Sequence, residues 1–125
     1  MAESRDYMTL PEEKGTVNIS EDVLAAVVVG AVREIEGVSG MMTAMGNSVT
    51  NLVSNTKNAR KSAKGVKIDM TGDALKVDIY LMVEYGHPIP EVAENVQNAV
   101  FSSVEAMTGC PVEAVNVHVG GVSLA

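Results

Sequence analysis

The sequence predicts an α+β fold, a two-layer sandwich in which a mostly antiparallel sheet carries two main helices on one face. Three observations predict it. Leu75, Val77, Ile79, Leu81 and Val83 alternate with Lys76, Asp78, Tyr80, Met82 and Glu84, the period of a half-buried strand. Directly after, Val92, Ala93, Val96, Val100, Val104 and Met107 recur at helical spacing. A shorter strand and a strongly apolar segment, Thr16 to Ile35, precede both. Elements with one apolar side each bury those sides most simply as helices laid on a sheet.

Residues 1 to 14 read as a flexible polar leader, and 15 to 122 as a single domain. Val17 and Ile19 share one side of a short strand from Thr16 to Ile19. Ser20 then stands where an N-cap belongs, with Glu21 and Asp22 at the positive end of the helix dipole. Leu24, Val27, Val28, Ala31 and Ile35 fall at helical spacing, although the β-branched content would also suit a strand. Ala25, Ala26, Val29 and Val32 make the other faces apolar too, which points to burial on several sides or to self-association. Gly37 ends the segment, and a short strand is expected near Val38.

The middle, 42 to 65, is read as a variable, partly basic segment. Met42, Met45, Val49, Leu52 and Val53 recur at helical spacing, and Lys57, Arg60, Lys61, Lys64 and Lys67 follow with no acid among them. Val66, Ile68 and Met70 make a strand that Thr71-Gly72-Asp73 turns into the long one, giving a hairpin. Pro88 and Pro90 force a turn, and Pro90 suits the first turn of the second helix, which Gly109 closes. Val115, Val117 and Val119 form a last strand.

Composition narrows the function. The 125 residues carry sixteen acids against nine bases, a net charge of −7, which disfavours nucleic acid as a default partner. A single cysteine, Cys110, excludes an internal disulfide and suits a reducing compartment, and the longest apolar run is too short to span a bilayer. A cytoplasmic protein is expected, peripheral at the inner face of the membrane if the basic run meets anionic lipid. Cys110, His87 and His118 show neither nucleophile nor zinc spacing, and phosphate-loop and dinucleotide fingerprints are absent from the sequence. No enzyme activity, metal or cofactor is expected. Gly37-Val38-Ser39-Gly40 does match the G-x-x-G loop of KH domains, so a KH-like nucleic-acid-binding module using Gly37, Gly40 and Lys57 to Lys67 is the alternative. Candidate partner or membrane contacts are Lys57, Arg60, Lys61, Lys64, Tyr85 and His87, with Tyr80 also taken as exposed.

Two blocks, Gly15 to Met41 and Gly65 to Val122, resemble the alkaline shock protein family of Gram-positive bacteria. The resemblance rests on Val77-Asp78-Ile79-Tyr80, Val83-Glu84-Tyr85-Gly86, Ile89-Pro90, Val96-Gln97, Met107-Thr108-Gly109 and Val115-Asn116-Val117-His118-Val119. It implies a non-enzymatic cytoplasmic protein of cell-envelope stress and homeostasis. It further implies a homo-oligomer recruited by an integral-membrane anchor protein, and it supplies no catalytic residues. Positions 42 to 64 match less distinctly.

Overall fold

A computed structural model describes residues 7–42, 65–70 and 72–124. Six strands and two helices follow the chain as β1 (Tyr7–Glu12), β2 (Gly15–Ser20), α1 (Glu21–Arg33), β3 (Val38–Met41), β4 (Val66–Asp69), β5 (Leu75–Glu84), α2 (Ile89–Thr108) and β6 (Val112–Ser123). The expected α+β sandwich is what forms.

β5 is the centre of the main sheet because its alternation lets one side go wholly dry. Leu75, Val77, Ile79, Leu81 and Val83 are fully buried, while Lys76 to Glu84 on the other side stay half-buried or exposed. Above the dry side lie Leu24, Val28 and Val32 of α1 and Val92, Val96, Val100 and Val104 of α2. Each fully buried aliphatic side chain there contributes about 1.5–3 kcal/mol of transfer free energy. α1 is capped as its sequence demands, with the Ser20 hydroxyl accepting from the Val23 N–H at 3.2 Å. Gly109 ends α2 with a left-handed φ of 75°.

The two edges of β5 differ. On one side β3 pairs with its C-terminal part, Val38 opposite Val83 to Met41 opposite Leu81, and β4 with its N-terminal part, Val66 opposite Ile79 to Asp69 opposite Lys76. Both are antiparallel. Where they meet, the Met42 N–H donates to the Tyr80 carbonyl and the Tyr80 N–H to the Gly65 carbonyl, each at 2.8 Å. On the other side β6 pairs with β5 in parallel along its whole length. A parallel neighbour needs a crossover, and α2 is that crossover.

Within the stretch read as a polar leader, β1 forms an antiparallel ribbon with β2. Met8 is its reason: the side chain is buried in the core, and Leu10 packs against the core's rim. Residues 1–6, and the helical spacing and basic run expected over 43–64, lie outside the described residues.

Candidate functional site

Of the contact residues expected from the sequence, Lys57, Arg60, Lys61 and Lys64 fall outside the described residues. Tyr85 is 75% exposed at the turn after β5, its N–H donating to the Ser123 carbonyl at 2.8 Å. That bond places Tyr85 beside the end of β6, next to Val122 and Leu124, which are exposed as well. Ile89 opens α2 at the same end and is also exposed. Together they make a small apolar cap on the end of the sheet.

His87 has a different job. Its Nε2 lies 3.5 Å from Glu84 Oε1, and its ring packs over the turn joining α1 to β3. A Cβ on Gly37 would stand 3.1 Å from His87 Cγ and 2.8 Å from Val92 Cγ2. With φ at +100°, Gly37 is thus required by packing and by backbone conformation together. Gly40 lies in β3 opposite Met82. Packing and backbone conformation thus account for Gly37, whereas a Cβ at Gly40 would meet open space.

The outer face of the sheet holds a cluster that the sequence reading dispersed. Register sets Tyr80 beside His118, and their rings stack with centroids 4.5 Å apart and planes 12° from parallel. His118 Nε2 meets Asp78 Oδ1 at 3.0 Å. Asp78 is thus a partner of His118 on this face. Next along, Gly120 and Gly121 leave room for methionines. Met42 Sδ would be 3.0 Å from a Cβ on Gly120, and Met82 Cε 3.4 Å from one on Gly121. A His–carboxylate pair can move a proton only where a substrate can be held beside it. This pair stands on an open, partly exposed surface. Cys110, the one thiol, is fully buried elsewhere, near the end of α2. A depression of about 90 Å³ lies at the N-terminal end of β5, lined by Asp69, Gly72, Ala74, Lys76 and Glu113, and is large enough for only a few waters. Among the described residues no group of three His, Cys, Asp or Glu could hold a metal, and no helix is long and apolar enough to cross a membrane.

Charge divides the chain more sharply than its total suggests. All nine Lys and Arg stand at or before Lys76. From Val77 onward there are only acids: Asp78, Glu84, Glu91, Glu94, Glu105 and Glu113. That signal was open to sequence reading. The pairing of His118 with Asp78 was not, because it depends on a parallel register between distant strands.

Residues 9–124 match the family model of alkaline shock protein 23, described as having a cell envelope-related function. The Bacillus subtilis protein YloU is 34% identical over 108 residues, covering 86% of this chain and 88% of that protein. Spy1614 of Streptococcus pyogenes is 34% identical over 110 residues, covering 88% and 89%. A stress response regulator gls24 homolog of Streptococcus pyogenes is 27% identical over 85 residues, and the chain spans about half of it, 48%. Among solved structures, a MamM-CTD covers 81% of this chain and 96% of its own at 15% identity and a TM-score of 0.49, a likeness that carries no functional argument. The match over nearly the whole chain, with relatives above 30% identity spanning most of both partners, shows that the chain belongs to the alkaline shock protein 23 family, whose function is related to the cell envelope.

Proposed function

We propose that the protein serves cell-envelope stress homeostasis as a non-enzymatic, self-associating protein that binds a membrane-anchored partner at the cytoplasmic face of the membrane. Family membership supplies the envelope context. The observation that carries association is the apolar cap of Tyr85, Ile89, Val122 and Leu124 at one end of the sheet. Exposed apolar side chains gathered at one place favour protein contact over solvent, whereas scattered ones are ordinary. Self-association would use this cap. The basic stretch Lys57, Arg60, Lys61 and Lys64 would add attraction to an anionic leaflet or to an acidic partner, each charge contributing about 1 kcal/mol near such a surface.

Light scattering across a concentration series tests the reading. The wild-type protein should associate, and a double variant, Tyr85→Ser with Leu124→Ser, should shift the curve toward monomer with an unchanged circular dichroism spectrum. A wild-type protein that stays monomeric throughout, together with no recovery of an integral-membrane protein after in-cell cross-linking, would overturn it.

A further inference from the structure

The outer face of α1 carries no charge except at its two ends. The exposed residues of the helix are Asp22, Val23, Ala26, Gly30 and Arg33. Val23 is 49% exposed, and the half-buried Val27 borders it. A helix lying on a core normally turns polar residues to solvent. Gly30 is the second departure. A glycine inside a helix lowers its stability relative to alanine. Here its φ is not positive, and an added Cβ would meet nothing within 4 Å. Neither conformation nor packing within the chain therefore calls for it. Close approach of another backbone from outside would.

The two charged ends differ in sign and share one border of this face. Asp22 in the first turn and Arg33 in the last stand eleven residues apart, close to three turns of about 3.6 residues. Ala26 and Gly30 lie between them, one turn apart. A two-fold axis passing midway between these two sets Ala26 of one copy against Gly30 of the other. Asp22 then lies about 9 Å to one side of the axis and Arg33 about 8 Å to the other, at about 1.5 Å per residue. The rotation keeps each border on its own side, so Asp22 of each copy meets Arg33 of the other. Helices set in parallel would instead place Asp22 on Asp22 and Arg33 on Arg33. Glu34 stands about 100° further round the helix, on the border of Val23, clear of Asp22 in the other copy. Two of the three acids on α2 also stay clear. Glu105 accepts from the Val112 N–H of β6 at 3.4 Å, and Glu94, eleven residues earlier, shares its flank. α1 packs on β3 and β4 while α2 packs on β6, so that flank is the one away from α1.

We propose that a second copy of this chain docks on the outer face of α1, helix against helix in antiparallel. Ala26 and Gly30 would let the backbones approach, and the Asp22–Arg33 pairs would close both ends and set the direction. The proposal rests on the self-associating half of the function given above, and it uses a surface separate from the apolar cap.

The test uses the cap variant, Tyr85→Ser with Leu124→Ser, so that α1 is the contact that remains. Light scattering across a concentration series should still find a dimer. Adding Gly30→Leu should weaken that dimer at least about tenfold, because the new side chain holds the backbones apart. Its thermal midpoint should stay level or rise, since leucine favours the helix and meets open space in the chain itself. Arg33→Asp and Asp22→Arg should each weaken the dimer about fivefold, the worth of two exposed charge pairs. Mixing these two variants in equal amounts should restore it, because each then meets the opposite sign at both ends. A cap variant that is monomeric while the wild-type protein associates would overturn the proposal and leave the cap standing. Indifference to Gly30→Leu, or a mixture no tighter than its components, would overturn it too. A wild-type protein monomeric throughout would remove this proposal together with the self-associating reading.

Discussion

The main sheet has two edges built on opposite plans. One is assembled from β3 and β4, two antiparallel strands of four residues each, laid end to end along β5 and separated in sequence by positions 43 to 64. The other is β6, one strand of twelve residues, parallel to β5 throughout, with register shifts between Leu75 and Lys76 and between Leu81 and Met82. The first edge depends on a junction where Met42 and Gly65 share Tyr80. The second depends on α2, which covers it from above and supplies side chains to its backbone. The difference teaches that a sheet edge can be held by local backbone geometry or by a neighbouring layer. Substitutions should distinguish the two.

The largest effect is expected in the strand that both edges share. Leu81→Ala removes a fully buried side chain opposite both Met41 and Val119, and should cost about 4 kcal/mol in a urea titration. Next comes the junction of the interrupted edge. Gly65 has φ +77°, and an added Cβ would stand 2.5 Å from the Met42 carbonyl oxygen and 3.1 Å from that of Tyr80. Gly65→Ala should therefore cost about 3 kcal/mol, strain and backbone clash together. The comparison on the β6 side is Gly109, which has nearly the same φ, +75°, but meets only Leu10 Cδ1 at 3.8 Å. Gly109→Ala should cost only about 1 kcal/mol, the strain alone. Equal losses at the two glycines would mean that the junction of β3 and β4 yields freely, and the contrast between the edges would be lost. The smallest effect belongs to the outer face. Asp78→Ala, which removes the exposed partner of His118, should change stability by about 0.5 kcal/mol or less in the same titration.

Much of this fold was legible because its central elements repeat their signals. β5 carries five apolar residues at period two, and all five are buried. α2 carries its stripe between Pro90 and Gly109, and the helix runs between those limits within a residue. β6 showed as a strand from Val115, Val117 and Val119, but alternation says nothing about which strand lies beside it or in which direction. β1 was hidden for another reason. One buried residue, Met8, anchors five mostly exposed ones, and the charges around it resemble a loose terminus.

The site divides in the same way. The exposure of Tyr85 followed from its place in a proline-rich turn, whereas His87 was drawn inward by a glycine fifty positions earlier in the chain. The stacking of Tyr80 on His118 required the register of two strands joined by a whole helix. Local pattern reports which side of an element is dry. It does not report which distant element shares that side.

The junction at Tyr80 has a consequence for how such chains diverge. Met42 and Gly65 bond to the same residue of β5, so the described chain on either side of positions 43 to 64 is fixed at one point of the sheet. Closing an excursion whose ends already touch depends only weakly on its length, about 0.6 kcal/mol for each doubling. A change in the number of residues between these two anchors therefore adds little to the cost of closing the chain between them. Related genes could keep one common body while each writes its own message between those two anchor points.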